Sequence, residues 1–310
     1  MSWSARSRRR SEVPATHRIL VLALLVASGA HAACPPAGQT RESLLTLKAA
    51  EWRLAGEGAE AARELLSLGL LDCLADPDPL LRDGVAFEAL SAWMRAWQLS
   101  VATLQAMRVR LVAVLAEPPD AAGFRQPFAA LALAEVARAD RLQPFLAADE
   151  RAALIERGTR YLAGVRDYRG HDGRDGWRHG VAHGAYLLLQ LSLNPQLQRG
   201  QAEAMLEAIA AQVMPAGEQF YRYGEPDRLM APVFYLGRRG WWQAADWQAW
   251  FDALLARRTP GGATTEAGLA QRHNLGAFLS ALYVAVQEQA NDAMKQRLLP
   301  GLRKALMALG

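Results

Sequence analysis

From Arg41 onward, apolar side chains return every three to four residues, the interval that gathers them on one face of an α-helix. The periodic stretches run over 41–56, 58–74, 79–96, 100–116, 125–138, 149–166, 177–193, 199–213, 240–256 and 266–308. Turn-forming residues separate many of them: Asp76-Pro77-Asp78-Pro79, Glu117-Pro118-Pro119-Asp120, Arg169-Gly170-His171-Asp172-Gly173, Asn194-Pro195 and Thr259-Pro260-Gly261-Gly262. Asp78 before Pro79 is an N-cap ahead of a proline in the first helical position. No stretch reads convincingly as a strand, and isoleucine occurs only at Ile19, Ile155 and Ile209. The expected fold is therefore all-α. Successive helix pairs recur at about 40 residues, the period of stacked antiparallel pairs in a HEAT-like α-solenoid; a compact α/α bundle is the other packing of the same elements. No linker or low-complexity run divides residues 33–310, which read as a single helical domain.

The N-terminus departs from this pattern. Arg6, Arg8, Arg9, Arg10 and Arg18 precede an apolar run, Ile19 to Ala30, and Ala30-His31-Ala32 forms an A-x-A site, so residues 1–32 read as a secretory signal peptide. The run is shorter than the roughly 20 residues that cross a bilayer, and no other membrane segment is expected. An exported protein, periplasmic or secreted, is the implied localisation. The leader also changes the charge balance. Of 35 basic and 31 acidic residues, five arginines and Glu12 fall within it, leaving 30 of each. The formal charge of +4 thus belongs to the precursor, and no nucleic-acid partner is expected because no basic excess remains to neutralise phosphates. Both cysteines, Cys34 and Cys73, follow the leader, where an oxidising compartment would let them form a disulfide. Two free thiols are the alternative. Lipidation of Cys34 fits poorly, since His31 stands where a lipoprotein signal carries an aliphatic residue.

Chemistry-bearing residues concentrate between 166 and 187. Arg166-Asp167-Tyr168-Arg169-Gly170 precedes a glycine-bracketed loop, followed by Gly176-Trp177-Arg178-His179-Gly180-Val181-Ala182-His183-Gly184-Ala185-Tyr186-Leu187. On a helix over 177–193, His179 and His183 share a face and have the spacing of two ligands to one divalent metal ion. Gly180 stands where metalloproteases of that spacing carry their glutamate base. A zinc site needs a third ligand, for which Asp167, Asp172, Glu225 and His273 are candidates. Hydrogen-bonding histidines at a close helix contact, marked by Gly180 and Gly184, are the competing reading. Other charged residues would share a cleft with them if they face inward: Arg82 and Asp83, Glu135 and Arg138, Glu225 and Arg228, and His273. Inward arginines would suit a carboxylate or phosphate. The tryptophans of 241–250 have the spacing of helix packing rather than of a sugar platform.

Asp76-Pro77-Asp78-Pro79-Leu80-Leu81-Arg82-Asp83, Arg166-Asp167-Tyr168-Arg169-Gly170, Gly176-Trp177-Arg178-His179 with Ala182-His183-Gly184-Ala185, and Tyr223-Gly224-Glu225 together resemble the bacterial family known as domain of unknown function 2785. The resemblance implies an all-helical protein and no particular activity. Tyr186 occupies a position where the family usually carries aspartate, and a phenol is a poor ligand or base at neutral pH.

These readings lead to two expectations. One is an envelope binding or scaffold protein with a polar cleft around Asp167, Arg169, Trp177, His179 and His183, taking a small-molecule or protein ligand. The other is a hydrolase, metal-assisted or not, that uses His179 and His183. No nucleophile elbow, dinucleotide loop or P-loop is present.

Overall fold

A computed structural model describes residues 34–309. The leader expected over 1–32 lies outside the described residues. The helices are α1 (Arg41–Ala49), α2 (Ala59–Cys73), α3 (Pro79–Leu81), α4 (Glu88–Arg95), α5 (Val101–Val114), α6 (Arg125–Leu142), α7 (Ala148–Gly164), α8 (Gly180–Ser192), α9 (Arg199–Val213), α10 (Glu225–Arg238), α11 (Ala244–Ala256), α12 (Glu266–Gln287) and α13 (Asp292–Met307). Two-residue strands, β1 (His171–Asp172) and β2 (Gly176–Trp177), pair as an antiparallel hairpin between α7 and α8. The protein is all-α.

The helices pack as stacked pairs. α6 lies on α8, α8 on α10 and α10 on α12, a row of alternate helices, while α7 covers α8 and α9, and α13 covers α11 and α12. One hydrophobic cluster runs through the stack from Leu44 to Ala305. Its largest buried side chains include Trp93, Phe124, Phe128, Trp247, Phe251 and Phe278. Trp242, Trp247, Trp250 and Phe251 form a chain of edge and tilted contacts, so this aromatic run is packing, as its spacing implied. Cys34 and Cys73 are joined as a disulfide that ties the segment before α1 to the end of α2. Among the described residues no helix is long and apolar enough to cross a membrane.

Four departures from the periodicity matter. Residues 225–238, which lie outside the periodic stretches, form α10: Glu225 and Asp227 sit in its first turn, where backbone N–H groups lack internal acceptors and Pro226 is tolerated. The stretch 266–308 is two helices, because Asn291 accepts a hydrogen bond from Met294 N and starts α13 afresh. Arg82–Phe87 is a π-helical turn between α3 and α4, an uncommon form that often marks a functional or strained segment. Finally, α8 begins at Gly180 rather than 177, because the preceding residues are drawn into the β1–β2 hairpin: Arg178 N donates to Gly170 O and His179 N to Arg169 O.

Candidate functional site

That late start places the two histidines differently from a shared helix face. His179 is the N-cap of α8 with φ 55° and ψ 37°, a left-handed conformation, while His183 lies one turn inside the helix. Their rings meet edge to face with centroids 5.8 Å apart. The His179 ring stacks on Trp177 at 4.2 Å and 25°, and Tyr223 stands across Trp177 at 5.7 Å and 89°. His171 closes the group from the hairpin, its ring 4.7 Å from Trp177. Trp177 and Tyr223 keep 37% and 40% of their surface exposed. The result is an open aromatic corner with two imidazoles behind it.

Close backbone approach makes this corner possible. A Cβ on Gly170 would fall 1.9 Å from the Tyr223 ring, so the ring can lie over the chain only at a glycine. The hairpin is clamped by Arg178, whose guanidinium donates to Ala122 O (2.8 Å), Asp172 Oδ2 (2.6 Å) and Asp175 Oδ2 (3.0 Å). From the π turn, the fully buried Arg82 donates to Asp76 O (2.9 Å) and Asp175 O (2.6 Å). Both guanidinium groups stand over the Phe124 ring, at 3.9 Å for Arg82 and 4.6 Å for Arg178.

The electrostatics leave both imidazoles neutral. Burial pushes the His183 pKa down to about 3, helped by the neighbouring His179 and by Arg228 and Arg82. Burial likewise lowers His179 to about 4, against the pull of the Tyr223 backbone. His183 donates from Nδ1 to Pro127 O (3.2 Å), so its Nε2 carries the lone pair. His179 Nε2 is buried and, among the described residues, has no hydrogen-bond partner. Asp83 lies behind, raised by burial and restrained by Arg82, whose Nη2 is 2.9 Å away. Neutral, partly shielded imidazoles can accept a proton or coordinate a ligand, and exposed rings beside them can stack on one.

Several residues expected in the cleft are committed elsewhere. Arg82 is a structural clamp rather than an inward ligand-binding arginine, since its donors reach backbone carbonyls of the 76–77 turn and the hairpin. Asp167 and Arg169 engage each other beside Gly123, not either histidine. Glu135 is buried between Arg95, which donates to both its oxygens, and the Tyr186 hydroxyl (3.1 Å). Tyr186 is therefore tied to α6 through Glu135. Arg138 lies on the next turn of α6, half-buried. Glu225 Oε2 accepts from Tyr223 N (2.9 Å) and so holds the tyrosine's backbone. His273 meets Tyr221 O through Nε2 at 3.2 Å and supports the same loop. Arg228 is exposed on the first turns of α10, and its charge is felt by both histidines. Among the described residues, no three His, Cys, Asp or Glu side chains gather as metal ligands do. Tyr223, His171, Phe124 and Gly170 complete the corner without having been named as site candidates, although Tyr223 and Gly170 stand in the motifs that carry the family resemblance.

This arrangement defines an all-α protein of packed helix pairs whose candidate site lies where a hairpin enters α8. The family model described as "Protein of unknown function (DUF2785)" matches residues 111–284, more than half of the chain, and the chain belongs to that family. The match spans the end of α5 to most of α12, including the hairpin, both histidines and Tyr223, and begins after the Asp76–Asp83 segment. No curated protein and no solved structure matches the chain.

Proposed function

We propose that this is an exported ligand-binding protein whose site is the corner formed by Trp177, His179, His183, Tyr223 and Arg228. The observation that carries the reading is His179: a non-glycine residue held in the left-handed region, with a buried Nε2 that has no partner among the described residues, beside exposed aromatic rings. A strained backbone costs about 1–3 kcal/mol and clusters at ligand-binding and active sites, and a buried unsatisfied nitrogen costs a similar amount that a ligand oxygen would recover. The ligand class that fits is a small molecule with a ring face for Trp177 and Tyr223 and an anionic or hydroxyl oxygen for His179 and Arg228. A ligand-detected NMR screen of sugars, sugar acids and aromatic acids tests it. Hits on the wild type should vanish with Trp177→Ala and weaken at least tenfold with Arg228→Gln. Hits that survive both substitutions, or a screen with none, would refute the reading.

A second reading is a hydrolase in which His179 and His183 act as bases or hold a divalent metal ion. What favours it is the tautomer of His183, whose Nδ1 bond to Pro127 O leaves Nε2 unprotonated, as in metal-bound histidines. Elemental analysis of the purified protein beside His183→Ala separates the readings, since near-stoichiometric metal lost in the variant supports the hydrolase.

A further inference from the structure

On the other side of Pro127 and Gly180 from the imidazoles lies a cavity of about 380 Å³, within the range of small-molecule pockets. It opens to solvent and is bounded by the α5–α6 turn, the last turns of α7 and the start of α8. Its apolar wall is Leu115, Pro119, Pro127, Tyr161 and Val165. Its charged lining is Asp120, Asp167, Arg157, Arg160 and Arg166, and these are not equivalent. Asp120 is spent on backbone: it accepts from Gly123 N (2.7 Å), Phe124 N (3.2 Å) and Arg125 N (3.1 Å). Both Asp167 oxygens are held by Arg169. Arg160 pairs with Glu156, and Arg166 donates to Ala163 O and Val165 O. Arg157, half-buried on the cavity wall, has no hydrogen bond or ion pair among the described residues.

We propose that this cavity binds an amphipathic monocarboxylate, its apolar body against Leu115, Pro127, Tyr161 and Val165 and its carboxylate on the Arg157 guanidinium. With both lining carboxylates already satisfied, the charges left over are cationic, and of these guanidinium groups Arg157 is the one whose donors are uncommitted among the described residues; its fork matches a carboxylate by two parallel hydrogen bonds. The walls supply the rest of the affinity by removing apolar surface from water. Gly164, the last residue of α7, also lines the space, and a Cβ there would meet no atom within 4 Å. A larger side chain at 164 therefore projects into room that a ligand would occupy.

The test is calorimetric titration of decanoate into the full chain at pH 7.5, with decanol and decyltrimethylammonium as controls of matched length. Decanoate should bind saturably at one site, at least tenfold more tightly than decanol, and the cationic analogue should not bind. Arg157→Gln and Gly164→Phe should each weaken decanoate at least tenfold while circular dichroism and the melting profile stay those of the wild type; Arg157→Lys should retain part of the affinity. Equal binding of decanoate and decanol, no saturable decanoate binding, or affinity unchanged in both variants would overturn the proposal. The site is separate from the aromatic corner, so Trp177→Ala should leave decanoate binding untouched, and either proposal can fail without the other.

Discussion

His179 and His183 enter the native state neutral, and that has a measurable consequence. Their native pKa values, about 4 and about 3, lie below the ordinary 6.5, so below pH 6.5 the unfolded chain binds more protons than the folded one. Their contribution to stability is complete above pH 6.5 and is lost as the pH falls toward 4, at up to about 1.4 kcal/mol per pH unit for each histidine. Urea midpoints measured at pH 7.5, 6 and 5 should fall across this window in the wild type and fall less in His183→Gln. Parallel profiles for the two proteins would show that His183 is not buried neutral. The histidines were legible in the sequence as a pair, but not their relation. Spacing assumed a helix through both, whereas backbone hydrogen bonds to Arg169 and Gly170 pull His179 out of it.

The helices are joined by buried polar clasps as well as by apolar faces. Asp140, near the end of α6, accepts from Arg151 Nε (2.7 Å) and Nη2 (2.9 Å), from Asn194 Nδ2 (3.0 Å), and from the backbone of Phe145 and Leu146. Burial opposes its ionisation, but these donors win and hold the carboxyl below the usual range. The clasp links α6, the α6–α7 turn, α7 and the turn after α8. Arg151→Ala would leave a buried carboxylate without its cation, at a cost of about 3–5 kcal/mol. Chemical denaturation should show that loss, and a change under 1 kcal/mol would mean that water reaches Asp140. Arg239 makes a similar joint by donating to Ser192 O and Asn194 O, the open carbonyls at the end of α8. Asn194 lies 54 residues from Asp140, and Arg239 lies 47 and 45 residues from its two acceptors, so no short motif announces these contacts.

Because one apolar cluster runs from α1 to α13, and because each helix pair covers its neighbour, the stack is expected to unfold as a unit. Near-ultraviolet dichroism, which reports the tryptophans, and far-ultraviolet dichroism, which reports the helices, should give coincident transitions. A first phase confined to one signal would show that part of the stack melts alone. The N-terminal elements are held into the unit by the Cys34–Cys73 bond and by Trp93 Nε1, which donates to Trp52 O (3.0 Å).

Helical class and most helix positions follow from the 3.6-residue periodicity and the Pro and Gly breakers, because those are local properties of the chain. The eligibility of Cys34 and Cys73 to pair also rests on sequence, though their proximity does not. What the tertiary structure alone decided is which polar residues meet. Glu135 faces Arg95 and Tyr186, Asp167 faces Arg169, and Arg82 reaches across 93 residues to the hairpin, so three of the expected inward-facing groups are held by intramolecular partners. The reason is physical. A buried charge must find its counter-charge or a carbonyl wherever packing brings one, and that choice is made by helices distant in the chain. The aromatic corner and the cavity behind it arise in the same way, from elements that only the packed stack brings together.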